Sequence, residues 1–182
     1  MAKDLDIRCV LRSQRLLLTP LSPEEADELF PLLDDTRLHS FTGGKPLSLE
    51  DLRARYAALT SRHSPDGSEL WLNWIVRRLE DEAAVGQMEA TVAGRTAWVA
   101  WVIGSRWQSK GYASEAAIAI VEWLFEQDEV EVVTAHIYPG HAASERVAIN
   151  AGLTVTGDLV DGERVWRRYK REPGLTHDDS RP

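Results

Sequence analysis

The sequence predicts an α+β fold in which a mixed sheet carries helices on its faces. Three observations support it. Runs of strand length alternate with runs of helical periodicity in the order strand, two helices, three strands, helix, strand, helix and a last pair of strands. The three middle strands are joined by Glu80-Asp81-Glu82 and Ala93-Gly94-Arg95, both short enough for hairpins. Finally, residues 97–125 read as a strand, a polar glycine-containing loop and a helix in immediate succession.

Taken in order, Arg15-Leu16-Leu17-Leu18-Thr19 forms the first strand and Pro20 closes it. Ser22 then caps a helix with Pro23 at its first position, and Glu25 completes a capping box. Ala26, Leu29, Phe30 and Leu33 give that helix its buried stripe. Residues 34–46 are a loop, after which Ser48 caps a second helix with Asp51 at its third position and Leu52, Tyr56 and Leu59 along one face. Pro65-Asp66-Gly67 marks a turn in the polar stretch 61–68. Strands follow at 71–78 and 84–92, and the apolar run 97–103, β-branched and aromatic, makes a buried central strand. Ala113, Ala116, Ala117, Ile120, Val121, Leu124 and Phe125 recur at the spacing of one helix face. A strand at 131–138 and a helix at 141–151 come next, with Gly152 just past the helix end. Residues 153–160 and 164–169 close the body as a hairpin across Asp161-Gly162.

The chain has 182 residues, and one domain is expected over 1–171, with 172–182 too poor in apolar side chains to be ordered. No run reaches membrane-spanning length, and the first ten residues carry charges where a signal peptide needs an apolar stretch. A cytoplasmic protein without a membrane partner is the expectation. The single cysteine, Cys9, excludes an internal disulfide and fits a reducing compartment. A net charge of −8 argues against nucleic acid, whose phosphates need basic surface, and is compatible with a cationic substrate. No metal site is expected.

The loop between the central strand and the central helix has a chemical use. The first turn of a helix leaves backbone N–H groups without partners and carries partial positive charge, so it can receive a phosphate or diphosphate. Gly111 lets an anion approach the backbone, and Lys110 adds a charge beside it. An ordinary strand-to-helix turn has the same spacing. Neither a nucleotide P-loop nor a dinucleotide fingerprint is present.

Gln108-Ser109-Lys110-Gly111-Tyr112-Ala113 matches the Q/R-x-x-G-x-G/A signature of the GNAT superfamily of N-acetyltransferases. Residues 107–116 resemble its branch of ribosomal-protein-alanine N-acetyltransferases. Ile137-Tyr138-Pro139-Gly140-His141-Ala142-Ala143-Ser144-Glu145-Arg146-Val147, ending in Asn150-Ala151-Gly152-Leu153, resembles the same branch's last core strand and helix. The resemblance spans residues 16–169. It implies the GNAT acyl-CoA N-acyltransferase fold: a mostly antiparallel sheet, helices on both faces, and a splay between the two central strands that admits acetyl-CoA.

The resemblance also implies roles. Trp101, Val102 and Ile103 would contact the pantetheine arm and the thioester carbonyl. Gln108, Ser109, Lys110, Gly111, Tyr112 and Ala113 would hold the diphosphate, with Ser114 at the helix start. The family has Asn where this chain has His141, so this imidazole either donates to the cofactor or caps its helix. Many members place a tyrosine acid seven positions further on, where this chain has Ala148; Ser144 then inherits the place beside the sulfur. For the base, which must take a proton from the amine, Glu89 and His136 are the two candidates. Core packing, a solvated strand glutamate and a sheet histidine are the plainer readings of these same residues.

The acceptor pocket is expected between the first two helices, the loop Phe41-Thr42-Gly43-Gly44 and the strand bearing Trp71 and Trp74, with Trp98, Trp101 and Trp107 close by. Such an aromatic wall suits an amine through cation–π contact. The expected reaction is transfer of an acetyl group from acetyl-CoA to a primary amine, on a small molecule or a protein N-terminus, by direct attack on the thioester. The alternative is a non-catalytic acyl-CoA-binding sensor or partner protein. The protein is expected to be a monomer or homodimer.

Overall fold

A computed structural model describes residues 8–40 and 44–170. The expected loop residues Phe41, Thr42 and Gly43 and the tail 172–182 lie outside the described residues. The strands are β1 (Leu11–Arg12), β2 (Leu16–Pro20), β3 (Leu70–Arg78), β4 (Ala84–Ala93), β5 (Thr96–Ile103), β6 (Val132–Ile137), β7 (Thr154–Val160) and β8 (Glu163–Tyr169). The α-helices are α1 (Ala26–Leu33), α2 (Leu49–Leu59), α3 (Tyr112–Glu126) and α4 (Ala142–Asn150). The strands form one sheet in the order β1-β2-β3-β4-β5-β6-β8-β7.

Only β5 and β6 run parallel among these neighbours. Their ladder covers Thr96, Ala97 and Trp98 against Val132, Val133 and Thr134, and no further pair joins them. Past that point β5 stays paired to β4 as far as Ile103 opposite Gly86, and β6 to β8 as far as Ile137 opposite Arg164. The two halves of the sheet therefore part in the middle, which is the expected splay. Alternate residues of a strand turn their N–H and C=O groups to opposite edges. The far half of β5 thus presents unpaired backbone groups to the gap.

Strand alternation separates two cores. Trp74 and Val76 of β3 join the face covered by α3, where Ala116, Ala117, Ile120, Val121 and Leu124 are buried. Ile75 between them points to the other face, among Ala26, Leu29, Leu32, Leu52 and Tyr56 of α1 and α2. Each fully buried Leu or Ile here contributes about 2 kcal/mol of transfer free energy, so both helical layers are held to the sheet.

The local signals read in the sequence are present. The Ser22 N–H donates to the Glu25 carboxylate at 2.8 Å, although the turn it caps is first a 3-10 turn, Pro23–Glu25. After α4, Gly152 at φ +80° lets its own N–H and that of Leu153 reach back to the Ile149 and Ala148 carbonyls, both at 2.9 Å. Asp161 and Gly162, both at positive φ, turn β7 into β8. Two details differ. β1, only two residues long, was not read from the sequence, and Leu32 is buried where Phe30 and Leu33 are only partly so.

Candidate active site

Two cavities open on either side of the splay. One, of about 660 Å³, lies between α1, α2, β4 and the ends of β5 and β6. The other, of about 760 Å³, lies between the loop before α3, the first turn of α3 and α4. They share Leu38, Trp101, Val102, His141 and Ser144, so the gap between β5 and β6 is where they meet.

The second cavity gathers the residues expected to hold a cofactor. Ile103, Gln108, Ser109, Gly111, Tyr112, Ala113 and Ser114 all border it, with Trp101 and Val102 on the shared wall. Gly111 is the N-cap of α3 at φ +82°, and the first bond of the helix runs from the Glu115 N–H to the Gly111 carbonyl at 3.0 Å. The amides of 111–114 therefore precede the intrahelical ladder, and the helix dipole adds its positive end at the same place. This fits an anionic ligand such as a diphosphate.

Three expected contacts are arranged differently from their reading in the sequence. Lys110 does not border the cavity; its Nζ lies 4.8 Å over the Trp107 ring. The Gln108 side chain donates to the Ile103 carbonyl at 3.0 Å, tying the loop to the end of β5 and occupying that carbonyl. The Ser114 hydroxyl accepts from Asn150 at 2.9 Å, which joins the first turn of α3 to the last of α4.

Sequence reading missed Asn150 as a site residue, and also Arg37 and Arg146, the two guanidinium groups bordering this cavity. Arg146 and Asn150 stand inside the motif that carried the resemblance, one helical turn apart. Arg37 stands in a loop without periodicity and has no such signal. Its guanidinium is held by Asp35 at 2.7 Å, and that carboxyl is kept far below the usual carboxylate range by hydrogen bonds from Arg37 first and Ser105 second.

The shared wall carries a side-chain link across the gap. The Trp101 indole N–H donates to the Ser144 hydroxyl at 3.4 Å, and the Ser144 backbone N–H donates to His141 Nδ1 at 3.4 Å. His141 is thus a helix cap. Ala148, where many relatives carry tyrosine, is fully buried and borders neither cavity.

Glu89 and His136 both border the first cavity, from β4 and β6 on opposite sides of the gap. Glu89 Oε1 accepts from the Gln87 amide at 3.0 Å and from Arg55 at 3.1 Å. Behind it the buried Tyr56 hydroxyl donates to Gln87 Oε1 at 2.7 Å. Burial above all, and then the charges of Glu25 and Glu89, push the Tyr56 hydroxyl well up, so it stays a donor. A chain of hydrogen bonds therefore orients Gln87 to donate to Glu89 and leaves the carboxylate as an acceptor. Trp98 and Tyr138 give the cavity aromatic surface, and α1 and α2 contribute Phe30 and Arg55. Trp71 and Trp74 border neither cavity. Their strand is separated from the gap by β4 and β5, and Trp74 packs edge-on against Trp123 at 5.7 Å.

Residues 15–154 match the family model described as Acetyltransferase (GNAT) domain. An uncharacterized N-acetyltransferase of Bacillus subtilis (strain 168), YnaD, is 37% identical over 75 residues, 39% of this chain. The chain spans 44% of the length of that curated relative. Among solved structures, Mycobacterium smegmatis RimJ in complex with CoA-disulfide superposes with a TM-score of 0.74 at 18% identity, covering 89% of this chain and 88% of that one. RimL, a ribosomal L7/L12 alpha-N-protein acetyltransferase in complex with coenzyme A, superposes at 0.72 with 14% identity, covering 88% and 98%. At such identities the likeness is one of fold.

Proposed function

The chain belongs to the GNAT acetyltransferase family, and from that premise we propose that it transfers an acetyl group from acetyl-CoA to a primary amine. The observation that carries this reading is the meeting of the two cavities at the unpaired edge of β5, one ending at a helix N-terminus and the other at an oriented carboxylate.

In this reading, the amides of 111–114, with Arg146 nearby, bind the diphosphate of coenzyme A. The free edge of β5 around Trp101 and Val102 aligns the pantetheine arm as an added strand would. Acetyl-CoA supplies the activated acyl group. Backbone donors of that edge face its carbonyl oxygen, where fixed dipoles stabilise charge that develops. Glu89, oriented by Gln87 and Arg55, accepts a proton from the amine, and His136 across the gap is the other candidate. The Ser144 hydroxyl, which accepts from Trp101, keeps its own proton to donate to the departing sulfur.

The acceptor is an amine presented through the first cavity, on a small molecule or a protein N-terminus. Support for the N-terminal case comes from the likeness to RimL, named as an alpha-N-protein acetyltransferase. Release of free thiol from acetyl-CoA, followed against a panel of amines and short peptides, tests the reading. Amine-dependent release is expected. Coenzyme A binding without any release would leave the sensor alternative standing, and no binding would remove both.

A further inference from the structure

We propose that Arg15 is a positioning residue for the diphosphate site, aiming the Gly111 amide into the cavity by holding the carbonyl on the other side of the same peptide. The inference rests on the reading that a coenzyme A diphosphate sits at the mouth of α3.

Arg15 lies just ahead of β2, about a hundred residues from the loop it touches. Its Nη1 donates to the Lys110 carbonyl at 3.2 Å. The peptide between Lys110 and Gly111 is trans, so its N–H points away from that carbonyl. With the carbonyl turned to Arg15, the Gly111 amide faces the opposite way, and Gly111 is a residue that borders the cavity while Lys110 is not. At φ +82° Gly111 has few steric restraints of its own, so an external hold on the peptide plane has something to decide.

The guanidinium is itself fixed at three sides. Its Nε and Nη2 both lie 2.7 Å from Glu115 Oε2, in the first turn of α3. Glu115 Oε1 accepts from the Arg15 backbone N–H and the Ser13 hydroxyl, each at 2.7 Å. The Tyr112 ring lies under the guanidinium, 4.9 Å from its carbon. A Cβ added to Gly111 would sit 3.4 Å from Arg15 Nη2, so the side chain is in contact with the loop backbone. A rigid fork can span the carboxylate and the carbonyl together; a lysine ammonium, a point donor, satisfies one of them.

The test measures coenzyme A binding by calorimetry in the wild type, Arg15→Lys and Arg15→Gln, with melting temperatures alongside. The Gly111 amide resonance is followed in labelled protein during each titration. Arg15→Lys is expected to weaken Kd about tenfold, which is about 1.4 kcal/mol, and to shrink the coenzyme A-induced shift of the Gly111 amide. Arg15→Gln is expected to do more. Should Arg15→Gln fail to fold, Arg15→Lys, which keeps a cation beside Glu115, decides the matter. Folded variants with Kd within twofold of wild type overturn the inference, as does a weakened Kd with the Gly111 shift unchanged. Wild-type protein that does not bind coenzyme A removes the functional reading, and this inference with it; wild-type binding with indifferent variants removes the inference alone.

Discussion

Trp101 on β5 donates to Ser144 on α4 at 3.4 Å, across a gap where β5 and β6 share no ladder. The bond is long for an N–H donor to oxygen, and it sits where the two cavities join. A ligand passing along β5 between the cavities runs beside both side chains. Ser144 is thus placed at the junction by α4 and held there by two weak contacts. Replacing it with alanine is expected to lower kcat about tenfold while leaving coenzyme A affinity unchanged. A coenzyme A thiolate leaves readily, which keeps the loss below the usual range for a general acid, about a hundredfold or more. Turnover at saturating acetyl-CoA equal to wild type would rule out the role.

Glu89 and Tyr56 act at two ends of one hydrogen-bond chain and make a separable pair. Glu89→Gln is expected to lower kcat/KM about a hundredfold and to abolish the acid limb of its pH profile. If the limb survives, His136 takes the assignment and His136→Gln is the next variant. Tyr56→Phe leaves the buried Gln87 oxygen without its donor, so a stability loss of about 1–3 kcal/mol is expected in chemical denaturation. The acid limb should persist in this variant because the carboxylate remains.

Gly104, just past the end of β5, packs directly against Leu32 of α1. A Cβ there would lie 2.4 Å from Leu32 Cγ on α1 and 2.9 Å from both terminal carbons. The branch point of a buried leucine cannot move aside without shifting the helix. Gly104→Ala is expected to destabilise the protein by about 1–3 kcal/mol as an overpacked site. It should also weaken coenzyme A binding, since the Gly104 carbonyl accepts from the Trp107 N–H at the start of the loop. Gly104→Ala with wild-type stability would mean that α1 yields more easily than its packing implies.

What was legible in the sequence is what short-range chemistry specifies. The Ser22–Glu25 box, the Gly152 helix end and the Asp161-Gly162 turn each depend on residues within a few positions, and each is present. The strand, loop and helix over residues 97–125 were legible because Gly111 and the helical stripe after it are neighbours in sequence. The splay was not, because nothing in the residues of β5 and β6 past Trp98 and Thr134 marks where their pairing stops; only the family resemblance implied it. Lys110 shows the same limit. Its charge suggested an anion contact, but stacking on Trp107 depends on a partner presented by the fold, and no periodicity encodes it. Trp71 and Trp74 were placed at the cleft by residue type, yet sheet order puts two strands between them and the gap.

Glu115 gives the anchoring of Arg15 beside the loop before α3 a pH signature. Burial is the largest single influence on its carboxyl and works to raise the pKa, but hydrogen bonds from Ser13, from the Arg15 backbone N–H and from the Arg15 guanidinium together outweigh it. The folded value therefore lies below the ordinary 4.5. A group with a depressed folded pKa adds stability above its unfolded pKa, because the unfolded chain binds the proton more readily there. That contribution shrinks as pH falls below about 4.5 and is gone once the folded carboxyl also protonates. Glu115→Gln, uncharged at every pH, is expected to melt below wild type at neutral pH, with the gap narrowing as pH falls below about 4.5. The protonated wild type and the amide variant then carry equivalent charge, and Arg15 loses its partner in both. Melting curves from pH 7 to 3 check this; a gap that stays constant across the range would show that the Ser13 and Arg15 contacts do not act through ionised Glu115.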